Sequence, residues 1–514
     1  MPRPLAALTP STLIGVALLW ALPAVAQPGL ELGETTFPNS GAPEAQEPFL
    51  RGVLLLHSFE YDDAREAFQE ARALDPDFSM AAWGEAMTHN HPIWQRQDRD
   101  AALAALEPLG AGWAEAGETA REDAYLATLA VLYGEGAKED RDDAYADAMR
   151  GLAARFPDDL DARAFYALAL LGTAHEGRDY GTYMEAAAVA EEVFDQNPRH
   201  PGAAHYLIHA YDDPVHAPLG LRPARVYADV APAASHALHM PSHIYLALGM
   251  WEETAEMNRR SYNAAKAGTD RKGLPLNGHG WHALAWWHYA ELQRERTDEA
   301  DRLLAVAQGH RREDPSATAH GYTVSMEAQS LFEGGAGVAE PFDLADAPAY
   351  AKLRGLYATV LAATYTGAVD VAAESGAEFA AVYGALDDPS PIERAAAETV
   401  EGLLAAPGGD MAVVLDRLRE GAEIEQAAPL AFGPPAFAVS PTEAYAAALA
   451  AEGRSAEAVV QLQAALARTP GRTPVLKELV NAAEAAGLDN VAAEARRDLA
   501  ETGVALPPAP AGGR

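Results

Sequence analysis

The residues best suited to chemistry in this chain are histidines, and they are concentrated in its middle. Of 16 histidines, ten lie between His200 and His288, where an even distribution would place about three. His205 and His209 are four residues apart in the segment AAHYLIHAYDD, so on a helix both rings project from the same face. Because imidazole is the commonest metal ligand among side chains, this pair predicts metal binding.

A second pair, His239 and His243, has the same spacing in HALHMPSH. Pro241 lies between them, and a proline is comfortable only in the first turn of a helix. If a helix starts there, His239 falls in the preceding loop, so the second pair is a weaker prediction than the first. His279 and His282 open the next helix pair and could add one ligand.

Together these residues predict a site for one transition-metal ion, zinc, copper or iron, all of which imidazole suits. The predicted ligands are His205, His209, His239, His243 and His282. With fewer than four protein ligands, an open position could activate water, and Asp212 or Asp213, placed within reach of His209, could act as base. Whether the protein is an enzyme stays open at this point.

Two further groups are candidates for a site. Arg222 and Arg225 follow the histidine-bearing loop and could bind a carboxylate or phosphate of a small ligand; pairing with the nearby aspartates is an equally good interpretation.

Upstream, His57, Glu85 and His91 form a second candidate group, with His91 at a helix end that a following proline predicts. The alternative there is simple helix capping. The tryptophans, including Trp94 and Trp286, are interpreted as core.

A repeated spacing of small residues and proline predicts the elements that position these side chains. Intervals of 12, 4, 3 and 5 residues separate Gly52, Ala64, Phe68, Ala71 and Pro76, and the same intervals recur from Ala174 to Pro198 and from Ala446 to Pro470. The first small residue allows one helix to approach the next, three residues line a face of the second helix, and proline ends it.

This pattern resembles the tetratricopeptide repeat (TPR). It predicts an all-α fold, a right-handed solenoid of TPR-type helix pairs with insertions. The first helix of each pair lines the concave face of such an array, and the three histidine motifs all lie on first helices.

The N-terminus predicts export. Arg3 precedes an apolar stretch from Leu13 to Leu22 and small residues up to Ala26, the layout of a cleavable signal peptide that is too short to span a membrane. We expect cleavage near Ala26 and a periplasmic or secreted protein. The predicted segments are a signal peptide (1–26), an irregular leader (27–47), a TPR-like array carrying the histidines (48–340), a helical region (341–430), C-terminal TPR-like repeats (431–503) and a disordered tail (504–514).

Composition and the missing motifs exclude several classes of partner, cofactor and metal site. A net charge of −37 repels phosphate backbones, so no nucleic acid is expected. No cysteine is present, which excludes disulfides and thiolate metal sites. No glycine-rich phosphate-binding motif follows a predicted strand, so neither nucleotide nor flavin is expected.

Several segments also resemble a group of secreted bacterial TPR proteins. They are HSFEYDDAREAF, WGEAMTHNHPIW, HPGAAHYLIHAYDDP, GLRPARVYA and HALHMPSHIYLALGMW, and the resemblance covers about Phe49 to Gln293. It implies the TPR fold and the importance of these segments, but it implies no reaction.

Three functional hypotheses therefore remain. The histidines bind a metal, with or without catalysis; they belong to a metal-free scaffold whose concave groove binds a small ligand, a peptide or a protein; or they satisfy one another in a polar core. The clustering favours the first.

Overall fold

The computed structural model describes residues 31–334 and 342–504, and these are almost entirely helical. The first twelve helices are α1 (Gln46–His57), α2 (Tyr61–Leu74), α3 (Ser79–Met87), α4 (Arg99–Leu106), α5 (Ala120–Leu132), α6 (Lys138–Arg155), α7 (Leu160–Gly172), α8 (Tyr180–Gln196), α9 (Pro201–Tyr211), α10 (Ala217–Val230), α11 (Ser235–His239) and α12 (Pro241–Ala247). The remaining helices are α13 (Trp251–Lys272), α14 (Gly278–Gln293), α15 (Thr297–Glu313), α16 (Ala317–Glu333), α17 (Ala349–Thr366), α18 (Val369–Tyr383), α19 (Pro391–Ala405), α20 (Met411–Ala427), α21 (Pro441–Ala451), α22 (Ser455–Arg468), α23 (Thr473–Ala485) and α24 (Asp489–Glu501).

Short elements complete the described chain. The strands β1 (Asn90–His91) and β2 (Arg96–Gln97) pair antiparallel. Single turns of 3₁₀-helix cover Pro43–Ala45, Pro92–Trp94, Glu107–Leu109, Trp113–Glu115 and Ala406–Gly408.

The repeated spacing has the structural cause that the sequence predicts. Gly52 of α1 lies against the ring of Phe68 in α2, where a Cβ atom would come within 2.7 Å of a ring carbon. Ala64, Phe68 and Ala71 are fully buried on one face of α2. The helix ends at Leu74, two residues before the proline. The all-α, TPR-like helix-pair solenoid predicted from the sequence is thus confirmed.

The C-terminal helix pairs pack back onto the middle of the array. The Trp251 indole N–H donates to the Gly471 carbonyl at 2.8 Å, and Arg472 donates to the Tyr289 hydroxyl at 2.9 Å. Because Tyr289 lies in α14, the helix that carries His282 contacts the C-terminal repeats. The histidine-rich segment is therefore interior to the fold.

The predicted leader packs along the array from residue 31 onward. Leu32 and Phe37 are buried, and the Thr35 hydroxyl donates to Asp161 at 2.7 Å. The predicted signal peptide and residues 505–514 of the predicted tail lie outside the described residues. Among the described helices, none has the length and apolar character needed to cross a bilayer.

A buried histidine cluster as the candidate metal centre

Three successive helix pairs bring seven imidazoles close together in one cluster. The rings come from α9, from α11 with α12, and from the start of α14, the first helices of pairs completed by α10, α13 and α15. Neighbouring ring centroids lie between 4.5 and 6.5 Å apart. The cluster consists of His205, His209, His236, His239, His243, His279 and His282.

Helix α9 positions the first pair as its spacing predicts. Its N-cap is His200, whose Nδ1 accepts the Ala203 N–H, and Pro201 occupies the first turn, where a missing N–H costs nothing. All residues of α9 are buried, so the helix is held on every side. The Nε2 atoms of His205 and His209 lie 3.1 Å apart.

Pro241 interrupts the helical hydrogen bonds but not the helical path. Helix α11 ends at His239 and α12 begins at Pro241, while Met240 between them has helical dihedrals of −53° and −38°. His239 and His243 therefore keep nearly the separation that a continuous helix would give them. Their Nε2 atoms are 3.0 Å apart.

His239, His243 and His282 form one group, the His239 triad, in which one nitrogen of each ring lies within 4.8 Å of the others. The Nδ1–H of His239 donates to the Asn258 side-chain oxygen at 2.6 Å. The amide group of Asn258 is oriented by its own donation to the Thr254 carbonyl. The Nδ1–H of His243 donates to Asp212 at 2.6 Å.

These hydrogen bonds at Nδ1 determine whether the Nε2 atoms of His239 and His243 carry a proton or a lone pair. A neutral imidazole whose Nδ1 carries the proton has a lone pair on Nε2. Two such lone pairs that face each other at 3.0 Å, as in His239 and His243, repel unless a proton or a cation lies between them. Ligand nitrogens around a tetrahedral zinc ion, each about 2.0–2.1 Å from the metal, are about 3.3 Å apart. A proton can join two nitrogens, whereas a metal ion can join all three of the triad.

A second group, the His205 triad, contains His205, His209 and His236, again with one nitrogen each within 4.8 Å. The Nδ1–H of His205 donates to the backbone carbonyl of His57 at 2.7 Å. The Nε2 atom of His236 is buried without a hydrogen-bond partner. The five ligands predicted for one ion thus divide between two adjacent groups, and His236 joins them. Its spacing of three residues from His239 was the sequence signal for it.

Burial favours the neutral form of five of the seven imidazoles. Loss of hydration, together with the neighbouring imidazoles, lowers the pKa of His205 and that of His282 to about 3. The same causes, burial first, hold the pKa of His209, His236 and His239 well below its ordinary value. Since the neutral ring is the form that binds metals, these five imidazoles are in the binding form at neutral pH.

Trp286 forms a wall of the His239 triad, with its ring centroid 4.6 Å from that of His243 and 4.8 Å from that of His239. Gly433, from the connection between α20 and α21, lies against the Trp286 ring, since a Cβ atom there would come within 2.3 Å of a ring carbon. Phe432 lies 5.2 Å from the Arg178 guanidinium. Trp286 is 3% exposed, which confirms its interpretation as core, and its packing against the cluster depends on tertiary contacts.

The two predicted base candidates have other roles. Asp212 orients His243, whereas the prediction placed it within reach of His209. Asp213 Oδ2 accepts from Arg178 at 3.0 Å and from His216 at 2.9 Å, and its Oδ1 accepts from the Val215 backbone N–H at 2.9 Å, so both of its oxygens are engaged. Sequence reasoning missed Arg178, whose side chain is 2% exposed and also donates to the His209 carbonyl at 3.0 Å.

The predicted arginines lie at the surface of α10. Arg222 is exposed and forms ion pairs with Glu191 and Asp195, which are not the aspartates that the sequence suggested. Arg225 is also exposed. Neither is found among the contacts of the two triads.

The upstream candidates are not brought together. Glu85 is paired with Arg72 and accepts from Gln69, and the His91 ring stacks on Tyr61 at 3.9 Å. The helix predicted to reach His91 ends at Met87, and β1 follows. Trp94, expected in the core, is 44% exposed.

His57 belongs to a third buried group with Asp161 and His200. Its Nε2 lies 2.9 Å from Asp161, and its Nδ1 lies 2.9 Å from the Tyr206 hydroxyl. His200 lies 3.3 Å from the same carboxylate oxygen. These contacts join α1, α7 and α9, and they fix the His57 carbonyl that holds His205. Burial lowers the pKa of His57 to about 4, against the raising effect of Asp161.

Comparison with known proteins assigns the chain to no family. No protein-family model and no curated protein matches the chain. Among solved structures, yeast Tom70 matches at 11% identity, covering 88% of this chain and 99% of its own, with a TM-score of 0.36. Human IFIT1 with m7Gppp-AAAA matches at 13% identity, covering 92% and 91%, with a TM-score of 0.35. The Cut9–Hcn1 complex matches at 12% identity, covering 92% and 76%, with a TM-score of 0.34.

Proposed function

We propose that the protein is an exported, TPR-like metal-binding protein whose His239 triad holds one divalent transition-metal ion. The observation that carries the proposal is the pair of facing Nε2 atoms in His239 and His243, 3.0 Å apart, with each Nδ1 committed to an acceptor. A carboxylate or amide oxygen behind a ligating imidazole is the usual outer support of a metal site, because it fixes the tautomer and the ring orientation. Asn258 and Asp212 occupy these positions.

Three imidazole ligands suit zinc or copper, and they leave at least one coordination position free. Such a position is the feature that separates catalytic zinc sites from closed structural ones. A metal-dependent hydrolytic step would use water at this position, activated by the ion. Asp212 would act through His243 and not as the base itself.

Metal analysis of protein purified without a polyhistidine tag tests the proposal. We expect stoichiometric zinc or copper in the wild type, and a lower metal content in His243→Ala and His282→Ala. His175→Ala is the matched control, because His175 pairs with Asp143 at 3.1 Å outside the cluster and its loss should leave the metal in place. Absence of metal after purification, together with no binding when zinc or copper is added, would refute the proposal and leave a metal-free scaffold.

Export is a separate part of the proposal and has its own test. The signal-like residues 1–26 support it. Mass spectrometry of the protein recovered from a periplasmic or culture fraction should give an N-terminus close to Gln27. Full-length protein found only in the cytoplasm would contradict it.

A further inference from the structure

The His205 triad has features of its own that point to a ligand. His205 and His209 lie on α9 and His236 on α11, with exposed fractions of 0%, 5% and 7%. A buried polar atom without a partner costs about 1–3 kcal/mol, and the Nε2 atom of His236 is such an atom. The group therefore contains a buried donor or acceptor that the protein itself does not satisfy.

The hydrogen bond at Nδ1 of His205 determines the tautomer of this ring. Because its Nδ1–H donates to the His57 carbonyl, its Nε2 has a lone pair that faces His209. A proton on the His209 Nε2 would satisfy this pair as an ordinary hydrogen bond at 3.1 Å. It would leave His236 unsatisfied, whereas a metal ion would engage all three nitrogens.

The surroundings favour a transition metal over a hard cation. The ring of Phe59 closes one side, with centroids 4.2 Å from His205 and 5.7 Å from both His209 and His236. The three ligands are nitrogens, which suit zinc and copper, while calcium and magnesium prefer oxygen ligands. The site also lies directly beside the His239 triad, since the ring centroids of His209 and His243 are 6.1 Å apart.

We infer that the protein binds a second transition-metal ion, held by His205, His209 and His236, so that the cluster is a two-ion centre. The inference rests on the proposed function, since both ions share one interior. Each triad has its own outer support, Asn258 and Asp212 for one and the His57 carbonyl for the other. The two sites can therefore be emptied separately by mutation.

Titration of the metal-free full-length protein with Co²⁺, followed by visible absorption and by elemental analysis, tests the inference. We expect saturation close to two ions per chain. His236→Gln and His243→Gln should each reduce it to about one, and the double variant should abolish binding. Glutamine keeps polarity and approximate size, and circular dichroism with thermal melting confirms that each variant is folded.

The outcomes separate the two proposals. Saturation at one ion that His243→Gln removes and His236→Gln leaves would overturn the second site and keep the proposed function. Saturation at one ion with the opposite dependence would support the His205 triad and refute the His239 triad. No binding by the folded wild-type protein would refute both.

Discussion

Replacing Asp212 by asparagine is the sharpest test of how the His239 triad is built. Asp212 and His243 are both more than nine-tenths buried, and the carboxylate accepts the Nδ1–H at 2.6 Å. Asparagine keeps the shape but removes the negative charge, and its amide group can turn to donate to Nδ1. That turn would move the ring proton to Nε2, the nitrogen required for the metal.

The expected loss follows from this geometry. Changes to the group behind a ligating histidine lower metal affinity by about 10–100-fold, which corresponds to about 1.4–2.7 kcal/mol. Since the asparagine variant retains a hydrogen bond, we expect the loss to stay within this range. Asp212→Ala should in addition lower the melting temperature, because it leaves a buried Nδ1–H unsatisfied at a cost of about 1–3 kcal/mol.

Competition against a chromogenic zinc chelator measures the affinity, and thermal melting of the metal-free protein measures stability. Asp229→Asn is the matched control, because Asp229 is 79% exposed and lies 3.6 Å from Arg260, away from the cluster. Zinc affinity of Asp212→Asn within twofold of the wild type would show that Asp212 does not support a metal ligand. The assignment of the His239 triad would then fail.

Three further outcomes test the packing around the cluster. Gly433→Val should destabilise the protein, because the position has a φ of +88° and its side chain would overlap Trp286; quenching of tryptophan fluorescence by acrylamide should increase. Burial lowers the pKa of His288 to about 3, so the folded protein loses stability as pH falls from about 6.5. His288→Gln can still hydrogen-bond to Ser330, and it should flatten the dependence of melting temperature on pH over that window. Arg472→Met should lower the urea midpoint by the equivalent of about 3–5 kcal/mol, because it leaves the carboxylates of Glu333 and Glu443 without their cation. An unchanged midpoint would show that these ion pairs do not hold the C-terminal repeats against the middle of the array.

The sequence predicted the parts of the site that depend on a single helix. The spacing of His205 and His209 was sufficient because α9 runs without a break through both residues. At His239 and His243 the proline left the geometry undetermined, since a loop conformation at His239 before a helix starting at Pro241 was equally compatible with the sequence. The helical dihedrals of Met240, which join α11 to α12, are a property of the packed structure.

The supporting groups could not be predicted in the same way. Asp212 follows α9 and was assigned to His209, yet it binds His243, because the contact depends on how α9 packs beside α12. Arg178 lies more than 20 residues before His205 in the chain, and Gly433 lies more than 130 residues after His282. Contacts across such separations leave no local spacing in the sequence.

The net charge of the proposed site determines which kind of ligand its free coordination position favours. Neutral imidazoles leave both positive charges of a divalent ion uncompensated, and among the described residues Asp212 is the carboxylate that hydrogen-bonds to a triad ring. This excess would favour an anion at the free coordination position and would lower the pKa of bound water. The strongly acidic surface, with a net charge of −37, would attract cations but does not supply ligands. Selectivity must therefore come from the imidazole geometry, which the outer hydrogen bonds of Asn258, Asp212 and His57 maintain.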